Sequence, residues 1–318
     1  MKQMLLWLLL VVIGFLSLFI GVQEVSPLDL FSLQEDKAKL LLLSRIPRVL
    51  SIVLAGASLS IAGLIMQQIA RNKFASPTTA GTEDAARLGI LVAILLFPQA
   101  STMQKMLMAF GFALAGTYGF MTILNRVKYK DAVFVPLVGL MFGNLIGAFT
   151  TFLAYKYDLI QNISAWLQGN FSLIMKGRYE LLYLSVPLVI VAYLYAQRFT
   201  LAGMGETFAV SLGLKYKHVV NMGLVIVSLL SSIVILTVGK IPFLSLIIPN
   251  FVTLLRGDNL RKNLPLTAWL GAMFVLVCDI FGRLVIYPYE IPIGLTVGVI
   301  GSGIFLYLLV RGPKAYET

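Results

Sequence analysis

The sequence predicts an all-α membrane protein that crosses the bilayer about ten times. Hydrophobic residues make up 59% of the 318 positions and charged residues only 12%, against about 25% charged in an ordinary soluble domain. The apolar residues fall into successive runs, most of them about 17–25 residues long, the length a helix needs to cross the hydrocarbon layer. The runs are continuous and do not alternate, which argues against a transmembrane barrel.

The first run, Met4 to Val22, follows Lys2. Its apolar part is longer than a signal-peptide core of about 7–15 residues and no small-x-small site follows, so it reads as a retained helix starting inside. Gln23 to Lys39 carries Glu24, Asp29, Glu35 and Asp36 and is expected outside. Ser44-Arg45-Ile46-Pro47-Arg48 then leads into the span Val49 to Met66. Pro47 suits a first helical turn, where its missing N–H costs nothing. Gly56, Ser60 and Gly63 give this span a small face for close packing.

Residues 74–87 read as irregular, broken by Pro77 and Gly81, with Thr82 as a candidate cap for the short run Leu88 to Pro98. Glu83 and Arg87 are four apart and can pair on one helix face. They are expected to mark a helix start at the inner interface, with an intramembrane ion or proton site as the sharper alternative. Met106 to Leu124 is a clean span that ends in the basic turn 125–130. Ala132 to Tyr155 carries Gly139, Gly143 and Gly147, a bare stripe for helix packing or, alternatively, the lining of a passage. Lys156 to Arg178, with Trp166, is expected to form short interfacial helices outside.

Leu181 to Ala196 returns inside. Val219 to Val238 goes out again, and residues 239–250 follow with Pro242 and Pro249. A span broken by proline needs protein or water partners for its freed carbonyls, so it belongs against other helices. The basic turn Arg256 to Lys262 precedes Leu264 to Ile286, where Asp279 and Arg283 can pair four residues apart. Tyr287 to Pro292 turns the chain at the outer interface, and Ile293 to Val310 is the last span. Both termini then lie in the cytoplasm, with lysines and arginines gathered in the inside turns. The net charge of +11 fits basic loops facing anionic lipid better than a nucleic-acid surface.

Between two spans lies a moderately polar stretch, Leu201 to Lys217. Gly203 and Gly205 break the preceding helix, Glu206 opens about two turns of a new one, and Gly213 ends it. It carries no catalytic group. Elsewhere the chain holds no G-x-x-x-x-G-K-[ST], H-E-x-x-H, C-x-x-C or G-x-S-x-G. ATP hydrolysis by this chain, a metal centre and acyl-transfer catalysis are therefore not expected, and no cofactor is implied. The lone Cys278 reads as a small buried hydrophobe and His218 as an interfacial surface residue. From the residues alone the chain is a transport or channel subunit; an ion-gradient-driven secondary transporter or channel fits the broken segment too.

Five blocks carry a more specific resemblance. They are Arg45-Ile-Pro-Arg48 with Leu54 to Gly63; Arg71 to Pro77; Gly205-Glu206-Thr-Phe-Ala209 with Leu212-Gly213; Gly239 to Asn250 with Arg256-Gly-Asp-Asn and Leu264-Pro-Leu; and Asp279 to Arg283 with Glu290 to Gly294 and Gly301-x-Gly-Ile-Phe. In this order they resemble the permeases of ATP-binding-cassette importers for iron–siderophore complexes, haem and vitamin B12. Pro242, Asn250 and Ser245 depart from the family's commoner residues, and Thr82 to Arg87 is more charged than usual. These variants resemble the branch that handles ferric catecholate siderophores such as petrobactin.

The resemblance implies a type II importer permease fold, one transmembrane domain over 1–318 with its coupling segment at 201–217. It also implies cytoplasmic ATP-binding subunits, a second permease subunit, identical or different, and an extracytoplasmic binding lipoprotein. The implied site is the bacterial cytoplasmic membrane, and haem or cobalamin remains an alternative cargo. By the same resemblance, Arg45, Arg48 and Arg283 meet acidic residues of the binding protein, and Gly205, Glu206, Ala209, Leu212 and Gly213 form the helix that engages the ATPase. Gly139, Gly143 and Gly147 belong to a pathway-lining span.

Overall fold

A computed structural model describes residues 2–21, 39–126, 134–161, 168–174, 177 and 179–311. The acidic segment 22–38, the basic turn 127–133, the Trp166 region and the tail from 312 lie outside the described residues. Among the described residues eleven α-helices follow one another: α1 (Lys2–Ser17), α2 (Ile46–Ala70), α3 (Thr82–Leu96), α4 (Thr102–Arg126), α5 (Phe134–Lys156), α6 (Ser185–Gly203), α7 (Glu206–Ser211), α8 (Tyr216–Thr237), α9 (Leu244–Arg256), α10 (Leu260–Leu284) and α11 (Ile293–Arg311). A π-helical turn, Leu41–Arg45, runs straight into α2, and a 3₁₀ turn, Glu180–Leu184, into α6. There is no strand among the described residues.

Six stretches are long and apolar enough to cross a membrane: Leu41–Ala70, Thr102–Arg126, Phe134–Lys156, Glu180–Gly203, Tyr216–Thr237 and Leu260–Leu284. Met4–Ser17, Leu244–Arg256 and Ile293–Tyr307 are shorter apolar helices. With the 15-residue α3, these make the ten membrane helices that the sequence predicts, and α7 stands apart from them.

Helices α2, α8 and α10 form the centre. The apolar windows of their spans are 72%, 67% and 61% buried, against 22% for α5. Apolar residues alone do not bring such helices together, because lipid is equally apolar; close backbone approach does. A Cβ on Gly56 would lie 2.7 Å from the Gly271 carbonyl of α10. One on Gly63 would overlap the carbonyl of Ser245 in α9. Pro249 lacks the amide that would normally bind that carbonyl, so α9 turns a freed acceptor onto the bare face of α2. The small face read from Gly56, Ser60 and Gly63 is thus used, and the proline-broken segment packs against protein as expected.

Polar side chains fasten α9 further. Asn250 Nδ2 donates to the carbonyls of Lys73 at 2.8 Å and Leu246 at 2.9 Å. Lys73 in turn pairs with Asp258, beyond the end of α9. The next helix, α10, is capped by Asn259, whose Oδ1 accepts the Lys262 N–H at 3.1 Å. Cys278 is buried in the core and His218 is exposed, as expected.

Candidate functional site

The two ends of α2 carry the two candidate sites, about 35 Å apart at 1.5 Å per residue. At its N-terminal end the three predicted arginines come together. Arg48 Nη2 binds Asp279 Oδ1 at 2.8 Å and its Nη1 binds Glu290 Oε2 at 2.8 Å. Arg283 Nη2 binds the other oxygen of Asp279 at 2.9 Å, which is the i,i+4 pair read from the sequence. Arg283 Nη1 also donates to the carbonyls of Ser17 at 3.0 Å and Ile20 at 2.7 Å, and Arg45 Nη1 to that of Leu18 at 2.5 Å. Two guanidiniums therefore cap the C-terminal end of α1, where the helix dipole and the unpaired carbonyls favour cations.

Asp279 is thus shared by Arg48 and Arg283, and Arg48 also takes Glu290. The arginines are not free on a surface: Arg45 is 9% exposed and Arg283 5%. They line a cavity of about 150 Å³ with Ser17, Ser44 and Glu290. Glu290 lies outside the spans. Burial alone would raise its pKa, but Arg48, the Ser172 hydroxyl at 2.5 Å and the more distant Arg283 outweigh burial and hold it below the ordinary carboxylate range.

At the other end of α2, α7 forms a single short helix. Gly205, at φ 115°, precedes it in a conformation nearly restricted to glycine, and its Cα faces the Arg71 guanidinium. Gly213, at φ 80°, closes the helix. Its N–H reaches the Val210 carbonyl at 2.8 Å, and that of Leu214 reaches the Ala209 carbonyl at 3.0 Å, the two bonds of a Schellman turn. Ala209 alone among the five predicted coupling residues is a buried side chain. Glu206 is exposed, and so are Phe208, Val210 and Leu212. No atom lies within 4 Å of a Cβ on Gly213, so its backbone angle, and no close contact within the chain, requires glycine there. A cavity of about 540 Å³ opens beside α7, lined in part by Arg71, Tyr118, Glu206, Tyr216 and Lys217.

The glycine stripe of α5 divides. A Cβ on Gly139 would overlap the Thr79 carbonyl, and one on Gly143 would lie 2.8 Å from Asp84 Oδ2. Gly147 meets nothing within 4 Å. Two of the three glycines therefore seat the loop and helix start 76–84, and the third faces open space.

The chain matches the FecCD transport family over residues 9–311. It belongs to that family. It is 65% identical to the petrobactin import system permease protein YclN of Bacillus subtilis (strain 168), over 99% of this chain and all of the relative. It is 39% identical to the ferric-anguibactin transport system permease protein FatD of Vibrio anguillarum, covering 94% of this chain and 95% of that one. Among solved structures, a transporter assigned to the metal-chelate ABC type, in an inward-facing conformation, superposes with a TM-score of 0.82 at 24% identity, over 98% of this chain and all of that chain. That likeness shows a shared fold.

In this FecCD chain two local expectations are corrected. Arg87 does not pair with Glu83; its Nη1 binds Asp84, three residues back, at 3.0 Å. Thr82 is no cap either. Gly81 is the capping residue, Thr82 lies inside α3, and its hydroxyl meets that of Thr117 at 2.8 Å. The helix start is buried against α4 and α5, and Glu83 is fully sealed. Sequence reasoning also missed Glu290, Ser172 and Lys240 as partners of these charges. No local spacing rule connects residues so far apart in the chain.

Proposed function

We propose that this chain is the permease subunit of an ATP-driven importer that moves a ferric-siderophore complex of the petrobactin type across the bacterial cytoplasmic membrane. The observation that carries the reading is 65% identity to a petrobactin import permease along essentially the whole of both chains. The same reading makes 1–318 one transmembrane permease domain, with 201–217 as its coupling segment. It also gives the chain a second permease subunit, an extracytoplasmic binding lipoprotein and separate ATPase subunits that supply the energy.

In this proposal both termini and α7 face the cytoplasm. The basic turn Arg256 to Lys262 supports that orientation, because it lies at the α7 end of the bundle. The arginine cluster then faces outward. Its three guanidiniums and its cavity suit acidic side chains of the binding lipoprotein, since a guanidinium can take a carboxylate with two hydrogen bonds. The exposed Phe208, Val210 and Leu212 give α7 an apolar surface suited to a groove on the ATPase. Glu206 adds a charge at its rim. In the pathway, Gly147 presents the open part of the α5 stripe.

The test is ATP hydrolysis by the purified complex of both permease subunits and the ATPase. Binding protein loaded with ferric petrobactin is expected to stimulate it, and the same protein without the chelate to stimulate it less. Charge reversal of Arg45 and Arg48 together is expected to abolish capture of the binding protein; undiminished capture would remove the docking role. Hydrolysis indifferent to the loaded binding protein would contradict the whole reading.

A further inference from the structure

A second cluster of charges lies deep in the bundle. Asp84 Oδ2 lies against Gly143, near the middle of the 23-residue α5, so Asp84 sits at mid-membrane depth. Its Oδ1 accepts Arg87 Nη1 at 3.0 Å and lies 3.6 Å from Lys240 Nζ. Lys240 belongs to the break between α8 and α9, next to Pro242. Glu83 is fully buried, and neither of its oxygens has a hydrogen-bond partner among the described residues. A carboxylate without donors is costly to ionise in such surroundings. Lys240 and Arg87 share Asp84 as their ion-pair partner.

The cluster is open on one side only. The Arg87 side chain is almost sealed, whereas that of Lys240 is 25% exposed. The Lys240 backbone lies at the Glu290 end of the bundle, its carbonyl against Gly169 and Gly294, and its ammonium reaches inward from there to Asp84. Arg87 holds Asp84 at hydrogen-bond distance, while Lys240 stands farther off and makes the looser contact. The ammonium is therefore the group able to turn to a passing anion. Ferric iron is a hard cation that takes oxygen donors, so its chelates present carboxylate or phenolate oxygens.

We propose that Lys240, with Arg87 holding Asp84 beneath it, forms a station between the arginine end and the middle of the bundle that takes an oxyanion of the ferric chelate on its way through. The station rests on the ferric-siderophore reading given above. Lys240 makes the contact, and Arg87 and Asp84 position it.

The experiment is uptake of radioiron-loaded petrobactin by the complete importer, reconstituted with its second permease subunit, ATPase and binding protein. Lys240→Gln is expected to lower uptake about tenfold, the scale of one charge-assisted hydrogen bond, while stimulation of ATP hydrolysis by the binding protein is retained. Lys240→Arg, which keeps the charge, is expected to stay within about threefold of the unsubstituted importer, on the same scale. Uptake by Lys240→Gln within about twofold would overturn the station alone. So would a Lys240→Arg as poor as Lys240→Gln. No uptake by the unsubstituted importer would overturn the functional reading and the station with it.

Discussion

Arg48 and Asp279 stand 231 residues apart in sequence and 2.8 Å apart in space. The carboxylate of Asp279 is shared, one oxygen to Arg48 of α2 and the other to Arg283 of its own helix. It thereby joins the middle of the bundle to the end of α1 through the bonds Arg283 makes there. Replacing Asp279 by Asn removes the carboxylate that Arg283 pairs with and leaves Arg48 with Glu290 alone. Breaking a buried pair in this way costs about 3–5 kcal/mol. Asp279→Asn should lower the thermal melting point in detergent far more than Glu290→Gln, whose partner remains bound to Asp279. Equal melting of the two variants would show that the shared carboxylate is not the keystone of this end.

Glu290 makes the same end sensitive to acid. Its folded pKa is depressed, so its contribution is fully present above the ordinary glutamate value of about 4.3 and is lost as pH falls through the folded value. The difference in stability between the natural chain and Glu290→Gln should be constant from neutral pH to about pH 5 and shrink below about pH 4. Melting curves of both proteins across that range check it. A difference that grows on acidification would contradict the Arg48 contact.

The α5 glycines should separate cleanly. Gly139→Ala must push the Thr79 carbonyl away and should reduce folded yield or melting temperature. Gly147→Ala adds a methyl to open space and should leave both unchanged. Alanine is also the better helix former by about 1 kcal/mol, which favours the substitution at 147. Similar damage at both positions would mean that the stripe acts as a unit.

On α7, Phe208→Ser and Leu212→Ser remove apolar side chains that are 46% and 57% exposed and so support no core. Stability of the isolated permease should change by less than about 0.5 kcal/mol. Co-purification of the ATPase should fall. Glu206→Lys should uncouple hydrolysis from transport or weaken the same capture. Retained capture and transport in all three would remove α7 as the energy input.

Much of this architecture was legible in the sequence because membrane length and helix breakers are local signals. Pro242, Gly205 and Gly213 sit where the helices break or end, whereas Pro249 lies inside α9. The Asp279–Arg283 pair was legible because both residues share one helix. The Arg48–Glu290 contact was not, since no spacing rule reaches across 242 residues. The start of α3 misled for another reason. Within a helix Arg87 can reach either i−3 or i−4, and the choice depends on which face meets α5. A span flanked by protein on several sides gives no polar face from which to read that. Asp84 turned toward Gly143 and Lys240, and Glu83 turned into the core.

The most direct measurement is uptake of ferric petrobactin into proteoliposomes containing this chain, its second permease subunit and the ATPase. The account predicts uptake only when ATP is on the α7 side and binding protein on the arginine side. Uptake driven by an ion gradient without ATPase or binding protein would contradict it.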